Sequence, residues 1–485
     1  MSNLIHKTKS GLLYKFAERL GAQGVNFIVT VILARILLPE EFGVISLVTV
    51  FITILDVFVT YGFGNSLIAN KHSDNLDFST AFYFGGVFSI VIYGLVFIFA
   101  PYIANYFDNE VLILLIRIMS IRIPIAAINS VQQAYVSKHM MFQKFFISTS
   151  IGSICSGVLS IVLAYHGFGV WALVVQYLSS AVFDTVCLWF IVGWRPDFVF
   201  SFKRLKAIYD YGWKILLVGL IDTSYNQIRN LIVAKKYSPS DLAYYTRGFQ
   251  FPSLFISVVE PTINGVIFPA LSSCNDNILE MKAVTRRVTQ ISCYVLFPLV
   301  IGLLATAEPL VVSLLTDKWL ACVPFLQIAC LAFLFRPVQV INSCLIKASG
   351  RSGLLLKLDV IKKFIGLILL IASIPFGIEA IAWSLVWTNI IATIINIYPN
   401  LKIINYGYKE QFMDILDSLV ISVVMGITIY ALIKIKINDI TILILQLIVG
   451  LILYIGLSLI TKNRSFLYLR NMIYNSNINI LKNKR

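Results

Sequence analysis

Leu33-Ala34-Arg35-Ile36-Leu37-Leu38-Pro39-Glu40-Glu41-Phe42-Gly43 interrupts an apolar stretch and returns in outline 200 residues later. There Asn226, Ala234-Lys235 and Pro239-Ser240-Asp241-Leu242-Ala243 answer Asn26, Ala34-Arg35 and Pro39 to Gly43. A second pair, Pro124-(x3)-Ile128-Asn129-Ser130 and Pro337-(x3)-Ile341-Asn342-Ser343, recurs at a spacing of 213. Two halves are implied. Internal duplication in an almost wholly apolar chain is the mark of a transporter, with a substrate site between the repeats near mid-bilayer.

Composition agrees. Of 485 residues, 58% are apolar and 13% charged, against about 45–50% and about 25% in soluble domains. Mean hydropathy is +0.85. The chain is therefore expected to be an all-α integral membrane protein, multi-pass, in contact with lipid along most of its length. The net charge of +15 is spread singly among apolar segments, which excludes nucleic acid as a partner and reads as membrane topology. Seven cysteines lack any CxxC and mostly fall in apolar runs, so they read as small core residues. The four histidines sit at loop or terminal positions with no metal-site spacing, so no metal and no cofactor are expected. No Walker loop, HExxH or GxSxG is present, which argues against an enzyme and leaves no catalytic residue to name. The segment after the polar, basic Met1 to Ser10 is too long and too polar for a cleaved signal, so the first helix is expected to be retained.

Apolar runs read against turn signals give fourteen spans: 12–37, 42–67, 80–104, 111–134, 145–165, 169–192, 209–234, 243–270, 287–315, 322–345, 354–375, 378–400, 413–433 and 440–461. Both repeated motifs align when these are grouped six, six and two. The expected division is a six-helix lobe over 1–194, a cytoplasmic amphipathic linker over 195–208, a second six-helix lobe over 209–400, and two added helices with a basic cytoplasmic tail over 401–485. An even offset gives both lobes one orientation, related by a pseudo-two-fold axis along the membrane normal. With the N-terminus inside, twenty-three Lys and Arg fall in cytoplasmic segments and only Lys235, Lys236, Lys318, Lys434 and Lys436 outside. Both termini are thus expected to be cytoplasmic. In the linker, Phe200, Phe202 and Leu205 alternate with Lys203, Arg204 and Lys206, a pattern suited to an anionic membrane surface.

A charge at the bilayer centre costs about 2.5–3.5 kcal/mol even on the lenient insertion scale. Span 1 nevertheless carries Lys15, Arg19, Gln23, Asn26 and Thr30 at steps of four, four, three and four, which is one helical face. Span 7 repeats the stripe with Asp222, Asn226, Arg229 and Asn230. Further charges inside spans are Asp56, Arg117, Arg122, Asp184, Arg247, Glu260 and Arg336. Structural pairing or snorkelling explains some singly, with Lys15, Lys235 and Arg336 near span ends. Taken together, basic groups outnumber acids on equivalent helices of both halves. That predicts a cationic cavity for an anion such as a pyrophosphate, held by guanidinium forks in a partly dry pocket. Asp56, Asp184, Asp222 and Glu260 are the candidates for ion coupling.

Six segments carry a family resemblance: Leu33 to Gly43; Gly62-Phe63-Gly64-Asn65-Ser66-Leu67-Ile68; Gly169-Val170-Trp171-Ala172-Leu173-Val174-Val175-Gln176; Tyr244-Tyr245-Thr246-Arg247; Phe268-Pro269-Ala270-Leu271-Ser272; and Asp317-Lys318-Trp319. In this order they resemble the Wzx-type polysaccharide and O-antigen flippases of the multidrug/oligosaccharidyl-lipid/polysaccharide exporter superfamily, in the branch of the colanic acid and teichuronic acid exporters. The resemblance implies two six-helix lobes around a central cavity in a bacterial plasma membrane. It also implies alternating-access transfer of an undecaprenyl-diphosphate-linked oligosaccharide to the outer leaflet for O-antigen, capsule or exopolysaccharide synthesis. A glycan polymerase and chain-length machinery are the implied partners. The resemblance implies that cavity arginines and lysines bind the pyrophosphate, with Arg19, Arg229 and Arg247 as the candidates here. The competing readings are a multidrug antiporter, a peptidoglycan lipid-precursor flippase of the same superfamily and, more distantly, a glycan polymerase or ligase, whose active site the short outer loops leave little room for.

Overall fold

The computed structural model describes residues 21, 23–61, 64–69, 73–274, 277–435 and 437–471, and the regular elements within them are all helices. Two compact units emerge, Met1–Thr246 and Arg247–Arg485. The first holds α1 (Gln23–Ile36), α2 (Pro39–Thr60), α3 (Gly64–Ala69), α4 (Asn75–Tyr106), α5 (Val111–Met119), α6 (Arg122–Lys138), α7 (Phe142–Tyr165), α8 (Val170–Ile191), α9 (Phe202–Lys236) and the start of α10 (Pro239–Ser273). To the second belong the rest of α10, then α11 (Ile278–Ala305), α12 (Ala307–Leu315), a 3-10 turn (Asp317–Cys322), α13 (Val323–Phe333), α14 (Arg336–Ala348), α15 (Ser352–Ser373), α16 (Ile378–Ile404), α17 (Tyr408–Ala431) and α18 (Asp439–Ile460). The sequence repeat and the compact units divide the chain differently, because α9, the first span of the second repeat, packs on α2, α3 and α4.

Eleven spans among the described residues are long and apolar enough to cross a membrane. α1, α9 and α15 occupy the other three expected positions. α9 is diluted by the stripe from Asp222 to Asn230, and α15 by Lys357, Asp359, Lys362 and Lys363. The segment 195–208 is not one element. Residues 195–201 are irregular and tied to the start of α4 by Asp197 N–H to Ser79 Oγ (3.0 Å) and Ser201 N–H to Thr80 Oγ1 (3.3 Å), whereas 202–208 are the first turns of α9.

The repeated Pro-x-acid motif is a helix-starting device. Proline is favoured in the first turn, where its missing N–H is not needed, and an acid two residues later reaches back to the preceding backbone. Glu41 Oε2 accepts from Leu38 N–H at 2.8 Å, while Asp241 Oδ2 accepts from Ser238 N–H at 3.1 Å and Ser238 Oγ accepts from Asp241 N–H at 3.1 Å. At the start of α4, Asp74 and Asp77 cap reciprocally. The Asp77 backbone N–H, aided by the Arg204 guanidinium at 3.2 Å, holds the Asp74 carboxyl below its ordinary range.

The second repeated motif marks a break. The fourth span of each repeat is two helices, α5 with α6 and α13 with α14, and Pro124 or Pro337 lies just inside the second piece, disfavouring a helical residue before it. Its asparagine then ties helices together. Asn129 donates to Asp184 Oδ2 of α8 (2.7 Å), and Asn342 exchanges amide hydrogen bonds with Gln411 of α17 (2.9 and 3.0 Å). Small residues do the same by close approach. Ser148, Gly152, Ser156 and Ser160 form a buried stripe on α7, and a Cβ on Gly152 would sit 3.2 Å from backbone atoms of α8.

Candidate substrate-binding site

Lys15 and Arg19 lie outside the described residues. The described part of the first stripe has Gln23 half-buried and Asn26 exposed on α1. The second stripe lies on α9, within the first compact unit. Asp222 is half-buried and engaged, Asn226 is exposed, and Asn230 donates to Gln227 Oε1 at 2.8 Å. Between them Arg229 is 4% exposed. Its guanidinium carbon lies 5.8 Å from the Tyr225 ring centroid, and among the described residues it makes no ion pair. Among the described residues, neither Nε nor Nη2 of Arg229, both buried, has a hydrogen-bond partner.

Those two atoms form one edge of the guanidinium fork. Elsewhere in the chain the same edge holds carboxylates. Arg286 donates through Nε and Nη2 to Asp414 at 2.8 and 2.7 Å, and Arg336 through Nε and Nη2 to Glu260 at 3.3 and 3.1 Å. In Arg229 the same edge meets no carboxylate among the described residues. An unpaired buried ion costs several kcal/mol, so its retention asks for a ligand carrying paired oxygens, such as a phosphate or carboxylate.

The remaining candidates are engaged within the protein. Arg122 on α6 meets Asp56 on α2 at 3.3 Å and stacks 4.3 Å over the Tyr177 ring. Arg336 on α14 meets Glu260 on α10. These two arginines are thereby matched with coupling candidates, and the two pairs are counterparts: an acid from a repeat's second span meets an arginine at the first residue of the broken fourth span's second helix. An arginine at a helix N-terminus opposes the macrodipole, so the acid offsets two unfavourable terms. Arg117 donates to Phe97 O at 3.2 Å and stacks 4.1 Å over that ring. Arg247 hydrogen-bonds Gln250, Asp184 accepts from Asn129, and Lys235 meets Asp108 at 3.0 Å.

Removing one partner of such a pair exposes its cost. Glu260→Ala is expected to destabilise the purified protein by about 1–3 kcal/mol, below the about 3–5 of a fully buried pair because both side chains are about a third exposed. Replacing both, as Glu260→Met with Arg336→Met, is expected to restore the melting temperature. A double variant no more stable than the single ones would show that the two do not act as a pair.

Several interior polar groups stand outside the candidate site residues, and of these only Asn342 lies in a motif the sequence repeats. Gln339, Asn342, Asn396, Asn400 and Gln411 form a buried amide network, joined by Lys362 to Asn396 Oδ1 at 3.0 Å. Its signal was the Asn389, Thr393, Asn396, Asn400 spacing on α16, one helical face.

Residues 32–324 match the family described as polysaccharide biosynthesis protein. The chain belongs to that family. Members similar to it include the succinoglycan biosynthesis transport protein ExoT of Rhizobium meliloti, 26% identical over 65% of this chain and 64% of that protein. The teichuronic acid biosynthesis protein TuaB of Bacillus subtilis is 24% identical over 76% of each chain. The lipopolysaccharide biosynthesis protein WzxC of Escherichia coli K12 is 22% identical over 88% of this chain and 89% of its own. Among solved structures, the lipid II flippase MurJ in an inward closed conformation superposes with a TM-score of 0.73 at 16% identity, covering 95% of this chain and all of that one. An inward-facing multidrug resistance MATE family transporter gives 0.63 at 16% identity over 79% and 94%. These likenesses show that the chain shares its helical fold with those proteins.

Proposed function

We propose that this protein is a flippase that carries a polyprenyl-diphosphate-linked oligosaccharide from the cytoplasmic to the outer leaflet of a bacterial plasma membrane by alternating access, in the synthesis of a surface polysaccharide. The single observation that carries the reading is Arg229, a buried arginine whose bidentate edge meets no anion among the described residues. A diphosphate supplies the paired oxygens that edge accepts. Family membership and the names of the similar proteins give the substrate class. Both termini lie in the cytoplasm in this reading, as the loop charges require. No covalent bond changes. With the cell interior negative, moving two negative charges outward is favoured by about 2.3 kcal/mol per charge per 100 mV. A glycan polymerase and chain-length machinery would take up the product.

The multidrug reading fares worse on a specific point. A cationic cargo asks for unpaired acids in the interior, and Asp56 and Glu260 are each held by an arginine. The deciding experiment places purified protein in liposomes with a fluorescent polyprenyl-diphosphate oligosaccharide and scores its exposure to an added quencher. Accelerated exposure of the diphosphate lipid, and none for a polyprenyl-linked sugar without phosphate, is expected. Equal rates for both would refute an anion-directed site.

A further inference from the structure

A groove of about 680 Å³ runs along the second compact unit between α11 and α18, lined from below by Met425 and Ile429 of α17. Its sides are largely apolar although they contain tyrosine and glutamine, because both tyrosine hydroxyls and the Gln446 amide nitrogen are used elsewhere. Tyr294 OH donates to Ser458 Oγ at 3.0 Å, Tyr454 OH to Tyr294 O at 2.6 Å, and Gln446 Nε2 to Ile429 O at 2.9 Å. Val295 and Leu451 are exposed on its rims, so the groove is open along its length.

The two ends differ in chemistry. One finishes among Leu310 and Leu447. At the other, the helical residues 464–471 bring Leu469 and the exposed Arg470 to the opening. Arg287 stacks 4.5 Å over Tyr468 on the same turn. Of the acids on α17, Asp414 is occupied by Arg286, Gln290 and Tyr406, while Asp417 lines a polar pocket with Arg464. No acid is among the residues that line the groove, so Arg470 leaves its opening positively charged.

An apolar slot with a cationic mouth has the polarity of a lipid with an anionic head. We propose that the groove holds one acyl chain of an anionic phospholipid whose headgroup phosphate rests at Arg470. The site is separate from Arg229 and serves a resident lipid rather than cargo. Bilayer chains are as apolar as the groove itself, so fit of the chain alone discriminates little and the arginines set the preference. Each cation near the headgroup is worth about fivefold, the equivalent of about 1 kcal/mol.

The test is native mass spectrometry of the full chain in detergent, titrated with phosphatidylglycerol and with phosphatidylcholine of identical chains. Wild type is expected to retain phosphatidylglycerol at least about fivefold better. Arg470→Ala should lose most of that preference and Arg470→Lys keep it. Val295→Trp, which fills the groove from its exposed rim, should lower retention of both lipids without changing the melting temperature. Equal retention of the two lipids by wild type would overturn the proposal. So would unchanged retention in both Arg470→Ala and Val295→Trp, or displacement of phosphatidylglycerol by one equivalent of polyprenyl phosphate, which would give the groove to the carrier lipid. Because transport is not the readout, failure here leaves the flippase reading standing, and the reverse holds.

Discussion

Arg229→Met is expected to abolish export while leaving the protein as stable as before, or more so. Arg229 is 4% exposed with Nε and Nη2 unsatisfied, so in the absence of cargo its charge is a burden on the fold, and an apolar side chain of similar length removes that burden. Cargo binding loses in proportion. A hydrogen bond to a charged group contributes about 1.5–3 kcal/mol, and each about 1.4 kcal/mol is tenfold in affinity, so losing the fork should weaken binding by at least about tenfold to a hundredfold. Arg229→Lys keeps the charge and gives up the bidentate geometry, and should fall between. The checks are surface glycan in cells, membrane abundance, and the melting temperature of the purified variants. A variant that loses export together with stability would make Arg229 a structural residue, and one that exports normally would remove the cationic-site model.

Gly43→Leu is expected to force α2 away from the start of α10. A Cβ built on Gly43 lies 1.7 Å from Pro239 O and 2.3 Å from its carbonyl carbon, both backbone atoms that cannot rotate aside. The two copies of the repeated motif thus touch, Gly43 near the end of one against Pro239 at the start of the other. Ser46 Oγ and Thr246 Oγ1, which are 200 residues apart and so equivalent in the repeat, approach to 3.4 Å. Overpacking of this kind costs about 1–3 kcal/mol and occasionally more, and here relief requires helix separation. In the double variant Ser46→Cys with Thr246→Cys, a disulfide should form under mild oxidation. Adding Gly43→Leu should prevent it and lower the melting temperature, with Gly43→Ala showing the same effect at smaller size. Undiminished crosslinking in the Gly43→Leu background would mean that the contact is not maintained.

The sequence alone was enough for the helical membrane class, for the duplication and for the polar stripes. Those follow from periodicity and from the cost of charge in hydrocarbon, both local properties of the chain. It also pointed to Pro39, Gly43, Asn129 and Asn342, without revealing that they start helices, admit a neighbouring backbone or tie one helix to another. Partnership was out of its reach. Arg122 and Arg229 look alike as isolated charges in apolar runs, yet one is stacked on Tyr177 and paired with Asp56, 66 residues away, and the other is buried without an anion. Whether a buried cation is satisfied depends on which helices pack side by side, and only the tertiary structure decides that. In the same way the division into units was decided by packing, since α9 joins α2, α3 and α4 despite opening the second repeat. Covalent order sets what each helix carries, and the burial of those polar faces against particular neighbours selects which of them remain available to a ligand.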